Sequence, residues 1–304
     1  MSSRRVSLFG ASGFVGRSIA ARLDELGVDW IGFSRRGECA NCVAMLDLSA
    51  EEIAQRVSCY PLVINAMGSL KPRDFSDDLP LALEEFWSTI QRFSAILAAS
   101  RIDRLVHISS AGAVYGDNTK GVEHREGDAL HPGTWYGRAK AMEEGFLYQM
   151  MHQGGVSYAC ARVSNPYGNM GALNHGFLDV LVGAVLGGKV FQARFPGRAT
   201  RDFIYAPVMA RMLVDLALSD NQGIFNIGSG QATRLADVLD LVEQVVPDAK
   251  IERLHPDMRA DIAVSLLCVD KYKRHFGDEH FSCMTPFEYV RNGLVDLDKT
   301  KWES

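Results

Sequence analysis

The sequence predicts an α/β protein built on a doubly wound parallel sheet, with a smaller C-terminal α/β lobe. Apolar strands alternate with amphipathic helices over roughly the first 165 residues, which is the pattern of such a sheet. The strands are nearly continuous apolar runs, as expected where helices cover both faces. We expect residues 1–168 to form the sheet domain and 169–304 to form mainly the second lobe, with segments near 200–228 returning to the first.

Composition argues against several classes of partner. The net charge of −5 gives no electrostatic reason to expect binding to nucleic acid or to an anionic membrane. No signal peptide and no membrane-spanning apolar run is visible, so we expect a cytoplasmic protein. The six cysteines are scattered and indicate reduced thiols. Cys39 and Cys42 have C-x-x-C spacing but lack a second ligand pair, so we expect no metal site.

The first strand leads into a glycine-rich turn and a helix. Val6–Phe9 is apolar, three glycines follow at three-residue spacing, and helical periodicity begins near Phe14. Glycines permit a tight turn, and the first N–H groups of the helix can bind a pyrophosphate. The turn therefore predicts a Rossmann-type dinucleotide site formed by Gly10, Ser12, Gly13, Phe14, Val15 and Gly16.

The end of the second strand indicates which dinucleotide is bound. Trp30–Phe33 is followed by Ser34, Arg35 and Arg36, where an acidic residue would accept hydrogen bonds from an adenosine ribose. Guanidinium groups instead suit a 2′-phosphate. We therefore predict NADP as the cofactor, with NAD as a possible substitute; the alternative is a solvated turn with incidental arginines.

Three further strands are expected to end at the same edge of the sheet. Asp47 and Leu48 close a predicted third strand, and Ser49 is a candidate N-cap for a helix over 50–57. A buried strand from Leu62 leads to small residues suited to lie beneath a cofactor, namely Asn65, Ala66 and Met67. The next strand, Leu105–Ile108, ends in Ser109 and Ser110, and its His107 is predicted to be a core histidine.

Tyr136 and Lys140 are the candidate catalytic pair. Four residues apart, they share one face of a predicted helix over 136–152. A phenol ionises near a pKa of roughly 10, and a neighbouring ammonium favours the phenolate. Such a pair can transfer a proton during carbonyl reduction or alcohol oxidation. Alone, the spacing also fits an ordinary solvated helix face.

Together these segments resemble the extended short-chain dehydrogenase/reductase family, the NAD(P)-dependent epimerase/dehydratase group that acts on nucleotide sugars. The resemblance covers nearly the whole chain. The motifs that carry it are Gly10-x-x-Gly13-x-x-Gly16, Ser109-Ser110, Val114-Tyr115-Gly116, Pro132 before Tyr136-x-x-x-Lys140, Asn165-x-Tyr167-Gly168, Arg201-Asp202-Phe203-Ile204 and Asn226-Ile227-Gly228-Ser229-Gly230.

The resemblance implies roles for individual residues. Tyr136 would be the catalytic acid/base, Lys140 would hold the nicotinamide ribose, and a serine hydroxyl would bond the reacting oxygen. It further implies that Asp47 contacts the adenine and that the sugar nucleotide is held by Asn165, Arg201, Arg259 and Phe191. Family members are commonly homodimers that pair two long helices, here over 79–100 and 136–152.

The sequence departs from the family pattern at three places. Ala111 occupies the usual position of the catalytic hydroxyl, so Ser110 is the best substitute, with Ser109 behind it. Gly112 and Ala113 replace the acidic pair of the 4,6-dehydratases, which argues against dehydration. An aspartate that commonly follows the Arg-Asp-Phe-Ile motif is missing from 206–208.

Three functions remain open from the sequence. The leading hypothesis is an NADP-dependent reductase of a nucleotide-linked 4-keto-6-deoxy sugar, because net reduction consumes NADPH. The second is a nucleotide-sugar 4-epimerase that oxidises and re-reduces its substrate with one tightly held cofactor. The third is a non-catalytic NADP-sensing protein, for which Tyr136 and Lys140 would be unnecessary.

Overall fold

The structure, a computed structural model, describes residues 4–39, 41–68, 70–118, 121–168, 176–195, 197–254, 262–279, 281 and 283–300. In chain order it begins with β1 (Val6–Phe9), α1 (Phe14–Glu25), β2 (Trp30–Ser34), β3 (Cys42–Ala44), α2 (Ala50–Val57), β4 (Leu62–Asn65), α3 (Pro72–Asp77), α4 (Leu79–Ala99), β5 (Arg104–Ser110), α5 (Ala111–Tyr115), α6 (Trp135–Gln153) and β6 (Ser157–Val163). It continues with β7 (Asn165–Tyr167), α7 (Phe177–Leu186), β8 (Phe191–Ala193), β9 (Thr200–Tyr205), α8 (Ala206–Leu218), β10 (Gly223–Ile227), β11 (Ala232–Arg234), α9 (Leu235–Val245), β12 (Ile251–Arg253), β13 (Val264–Ser265), α10 (Asp270–Phe276) and α11 (Pro286–Thr300).

The main sheet has seven strands in the order β3-β2-β1-β4-β5-β6-β10. Every pairing between β3 and β5 is parallel. The chain first adds strands to one side of β1 and then to the other, so the winding direction changes between β1 and β4. Such a switch point leaves a crevice at the carboxyl ends of the strands, where nucleotides bind. The predicted doubly wound fold is confirmed.

The chain divides into two compact units. The first comprises Met1–Val114, Pro132–Arg162 and Ala210–Phe225, and the second comprises Tyr115–His131, Val163–Met209 and Asn226–Ser304. The units are therefore interleaved along the chain. Residues 115–131 and 163–168 group with the second unit, and residues 210–225, within the stretch expected to return, group with the first.

Aromatic packing fixes the core of the first unit. Phe9 and Phe33 are neighbours in the β1–β2 register, and their rings stack with centroids 4.6 Å apart. The ring of Phe93 from α4 meets Phe9 edge-on at 5.0 Å. Leu147 and Met151 of α6 complete the same buried cluster. Because all five side chains are buried, the strands and the two long helices have fixed positions within this unit.

The second unit has a small sheet centred on β9. Strand β11 pairs with it antiparallel, whereas β7 and β13 pair with it parallel. Strands β8 and β12 form a separate parallel pair. Buried apolar side chains of α7, α9 and α11, among them Leu181, Val238 and Val290, form one hydrophobic cluster here.

Two local expectations need correction, and one is confirmed. The third strand ends at Ala44, not at Asp47 and Leu48, because the backbone turns there and Leu48 N donates to Met45 O. Cys39 and Cys42, expected to be reduced thiols, are placed as a disulfide with Cα atoms 5.0 Å apart. Ser49 caps α2 as expected, since its Oγ accepts from the backbone N of Glu52 at 3.2 Å.

No helix in the described part of the chain has the length and apolar character needed to cross a membrane.

Candidate active site

The glycine turn after β1 is shaped for close approach of a ligand. Gly10 has φ +77°, and a Cβ there would lie 2.5 Å from Ala66 O. A Cβ on Gly16 would lie 2.1 Å from Gly10 O, so only glycine lets α1 pack against the turn. Gly13 is the N-cap residue of α1 and provides no side-chain cap for the first N–H groups of the helix. Its N-terminus therefore suits a pyrophosphate, and this cradle fits the predicted dinucleotide.

The turn after β2 displays both candidate phosphate-binding arginines. Ser34 is buried, and its Oγ accepts hydrogen bonds from Gly37 N at 3.0 Å and Glu38 N at 3.4 Å. These bonds shape the turn that carries Arg35 and Arg36, whose side chains are exposed. The arrangement places two cations at the end of β2, where the sequence analysis expected the 2′-phosphate.

The neighbouring adenine-side candidates lie in the turn after β3. Asp47 is exposed, and Leu48 is partly buried. The guanidinium of Arg92 on α4 donates to Leu48 O at 2.9 Å and also to Met45 O, which holds this turn against the helix. Asp47 remains available to solvent and to a ligand at the carboxyl edge of the sheet.

Asn65 at the end of β4 is committed to internal contacts. It is fully buried; its Oδ1 accepts from Met67 N at 3.1 Å, and its Nδ2 lies 3.3 Å from His107 Nδ1. These contacts fix the backbone at Ala66 and Met67, which passes beside Gly10. Asn65 therefore shapes this edge of the candidate cofactor site from beneath.

The two candidate serines end β5 with different environments. Ser109 is 4% exposed, and its Oγ has no hydrogen-bond partner among the described residues. Ser110 is partly exposed and precedes α5 directly. Successive side chains of a strand point to opposite faces, so the two hydroxyls diverge. Ser110 is the more accessible of the two.

Helix α6 brings Tyr136 and Lys140 to the end of β5. Thr134 caps the helix by accepting from Gly137 N at 3.1 Å. A Cβ on Gly137 would lie 2.2 Å from Ala113 O, so glycine allows the helix to approach the segment that follows Ser110. The Tyr136 ring meets Phe75 edge-on at 6.1 Å, and Lys140 Nζ lies 3.4 Å from Ile108 O.

Lys140 also contacts a carboxylate that the sequence analysis missed. Its Nζ donates to Glu143 Oε2 at 2.6 Å, and the same oxygen lies 3.9 Å from His107 Nε2. Burial opposes both charges, yet the ion pair raises the pKa of Lys140 and lowers that of Glu143. Burial lowers the pKa of His107 to about 4, so this histidine is neutral near pH 7. The i, i+3 spacing of Lys140 and Glu143 was the available signal.

The residues that form the candidate dinucleotide site lie within one unit. The first unit contains all three parts of this site: the glycine cradle after β1, the turn that carries Arg35 and Arg36, and the helix face of Tyr136 and Lys140. No group of three or more His, Cys, Asp or Glu side chains within the described ranges could hold a metal ion.

Two of the candidate substrate residues lie in the second unit and take part in its hydrogen bonding. Asn165 Nδ2 donates to Asp202 O at 2.9 Å. Arg201 Nη1 donates to Thr200 O at 3.1 Å and to Ala263 O at 3.2 Å. The carboxylate of the next residue, Asp202, accepts hydrogen bonds from Ser229 and Gly230 in the 228–230 turn. Burial raises the pKa of Asp202 despite these bonds.

The remaining candidates for substrate binding are Phe191 and Arg259. Phe191 is 9% exposed and packs edge-on against Phe177 in the hydrophobic cluster of the second unit, with ring centroids 5.6 Å apart. A base could stack only on the small part of this ring that remains exposed. Arg259 lies outside the described residues.

Comparisons with known proteins agree with this arrangement. A sequence model of the NAD dependent epimerase/dehydratase family matches residues 6–228. The chain is 23% identical over 257 residues to the dTDP-4-dehydro-6-deoxyglucose reductase of Escherichia coli. This alignment covers 78% of this chain and 80% of that protein. It is also 25% identical over 269 residues to the dTDP-6-deoxy-L-talose 4-dehydrogenase (NAD(P)(+)) of Kitasatospora kifunensis, an alignment that covers 83% of each protein.

Other similarities are shorter or concern the fold. A Methanocaldococcus jannaschii protein is 30% identical over 148 residues, so the chain spans about half the length of that relative (48%). The UDP-glucose 4-epimerase of Thermotoga maritima, solved with UDP-glucose, has the same fold, with a TM-score of 0.82 at 20% identity over 98% of this chain and 99% of that one. The glycine cradle, the Tyr-x-x-x-Lys face and the match over residues 6–228 identify the chain as a member of the NAD dependent epimerase/dehydratase family, enzymes of the extended short-chain dehydrogenase/reductase type.

Proposed function

We propose that this protein is an NADP-dependent reductase of a nucleotide-linked 4-keto-6-deoxy sugar. The observation that carries the cofactor choice is the turn at the end of β2. Ser34 shapes it, Arg35 and Arg36 are exposed on it, and no carboxylate occupies the position that would bind an adenosine ribose. Two guanidinium groups there favour a cofactor with a 2′-phosphate.

The residues of α6 and β5 supply the proton chemistry. Bound NADPH would provide the hydride for the sugar carbon. Tyr136 would donate its phenolic proton to the carbonyl oxygen, and the Ser110 hydroxyl would hold that oxygen in place. Lys140 would bind the nicotinamide ribose from the same helix face as Tyr136. Loss of any one of these contacts would slow the reduction without dismantling the fold.

The substrate class rests on the two relatives that align over most of their length. Their names specify dTDP-linked 6-deoxy sugars with redox chemistry at C4. Asn165 and Arg201 are our candidates for binding the sugar nucleotide, with Arg259 as a second cation. Replacement of the acidic dehydratase pair by Gly112 and Ala113 supports reduction over removal of water.

We also propose that the protein is a homodimer. Large apolar side chains are exposed on both long helices of the first unit: Leu81 and Trp87 on α4, and Met142, Phe146 and Tyr148 on α6, with exposed fractions of 40–59%. Exposed apolar patches of this kind mark association surfaces. Small residues on α4, namely Ala95, Ala98 and Ala99, are exposed as well and would permit close helix approach.

Titration calorimetry with NADPH and then NADH tests the cofactor assignment. The protein should first be checked for bound nicotinamide by its absorbance. A reductase is expected to exchange its cofactor and to prefer NADPH, after which 4-keto sugar nucleotides are screened for NADPH oxidation at 340 nm. Tightly retained NAD that never exchanges would support a 4-epimerase. NADPH binding without turnover of any sugar nucleotide would support a non-catalytic sensor.

A further inference from the structure

A largely buried carboxylate lies beside the candidate catalytic lysine. Glu143 and Lys140 have side chains only 13% and 11% exposed, and their charged atoms are 2.6 Å apart. Tyr136, Lys140 and Glu143 occupy positions i, i+4 and i+7 of α6, so they share one stripe of the helix. The phenol therefore lies next to an ion pair and not next to an isolated ammonium.

Neighbouring strands hold Glu143 from below. His107 of β5 is fully buried, and its Nε2 faces the carboxylate at 3.9 Å. The Oδ1 of Asn65 accepts from Met67 N, so its Nδ2, a donor only, faces His107 Nδ1 at 3.3 Å; a neutral histidine that accepts there carries its proton on Nε2, towards Glu143. The parallel register of β4 and β5 places Asn65 and His107 side by side, so the pairing of these strands fixes the polar side chains beneath Glu143.

The charges around Lys140 leave Glu143 as its counter-ion. His107 is neutral near pH 7 because burial lowers its pKa to about 4. The Cys160 thiol of β6 stays protonated because burial raises its pKa well above the usual value. The next carboxylate on α6, Glu144, is already paired with Arg162 at 2.8 Å. Lys140 and Glu143 together thus contribute no net charge beside Tyr136.

We propose that Glu143 is a positioning residue that screens the Lys140 charge from Tyr136 and so keeps the phenol in the proton-donating form that reduction requires. The inference rests on the proposed reductase function. In reduction Tyr136 begins as the neutral phenol, gives its proton to the carbonyl oxygen as the carbon gains the hydride, and then recovers a proton from solvent. An unscreened ammonium would favour the phenolate, the form that begins an oxidation.

Spectroscopic titration of the cofactor-free protein tests the proposal. Tyrosinate absorbance is followed against pH, and the signal of Tyr136→Phe is subtracted to isolate the Tyr136 contribution. In Glu143→Gln we expect the midpoint to move to lower pH by about one unit, a modest effect for a single neighbouring charge. Glu143→Asp, which keeps the charge, is the matched control and should stay near the unmutated protein.

Activity gives a second, independent measurement. The alkaline limb of the pH–rate profile should move to lower pH in Glu143→Gln by the same amount as the absorbance midpoint. A merely structural role for Glu143 would lower the rate at every pH and leave both midpoints in place. If the amide variant unfolds early in a thermal scan, Glu143→Ala replaces it, because the smaller side chain leaves room for water beside Lys140.

The outcomes separate this inference from the proposed function. An unchanged or higher midpoint in a folded Glu143 variant would overturn the screening role even if the protein reduces 4-keto sugars. A lower midpoint in a protein that reduces no sugar nucleotide would uphold the screening role and overturn the reductase assignment.

Discussion

Acidification should destabilise the protein through His107. The imidazole is fully buried, and its pKa falls from 6.5 to about 4, chiefly through burial, which outweighs the attraction of Glu143. Below about pH 6.5 the imidazole binds a proton in the unfolded chain, whereas in the folded protein it stays neutral until the pH falls to about 4. Stability that is present above pH 6.5 is therefore lost as the pH falls towards 4.

The size of the effect follows from the pKa difference. A fall in the pKa of His107 from 6.5 to about 4 corresponds in total to about 3 kcal/mol of unfolding free energy. Between about pH 7 and about pH 5 the loss should reach about 2 kcal/mol. Other carboxylates and histidines also titrate over this range, so the His107 contribution must be obtained by difference.

Urea denaturation followed by circular dichroism, in the protein and in His107→Gln, measures that difference. The glutamine keeps a polar contact for Asn65 but does not titrate. We expect the unmutated protein to lose about 2 kcal/mol more than the variant between about pH 7 and about pH 5, with similar denaturant slopes. Equal losses would show that His107 is not held neutral by burial.

Three further predictions concern the site and the assembly. Tyr136→Phe should bind NADPH with unchanged affinity and have no measurable turnover; normal turnover would remove Tyr136 from the mechanism. Replacing Arg35 and Arg36 by Ala should weaken the binding of NADPH by roughly thirtyfold, because two screened charge-assisted hydrogen bonds are lost. The binding of NADH, measured by the same calorimetry, should weaken by less than about twofold. Equal weakening of both would show that neither guanidinium binds the 2′-phosphate. Phe146→Glu should convert a dimer to a monomer in light scattering, and an unchanged mass would place the interface elsewhere.

The fold could be predicted because its signals are local. The apolar run Val6–Phe9 and the glycines at 10, 13 and 16 each specify strand, turn and helix within a short window. The structure adds the reason for the glycines, since a Cβ at Gly16 would strike Gly10 O. Boundaries that depend on backbone turning were less accessible: the strand expected to reach Asp47 ends at Ala44.

The parts of the site that the sequence analysis missed are tertiary. His107 is in the core, as expected, but nothing in its own strand indicates that Asn65 of the neighbouring strand lies beside it. That contact depends on the β4–β5 register. Glu143 follows Lys140 by one helical turn, but only the packing of α6 against β5 shows that both are buried.

The proposed reaction is net reduction of a keto sugar nucleotide by NADPH. The most direct measurement incubates the protein with a dTDP-4-keto-6-deoxy sugar and NADPH carrying deuterium at the transferable position of the nicotinamide. We expect one NADPH to be oxidised for each sugar consumed, with deuterium at the reduced carbon of the product and none in the Tyr136→Phe reaction. Inversion at C4 of a saturated sugar nucleotide without net oxidation of NADPH would show that the protein is an epimerase and not a reductase.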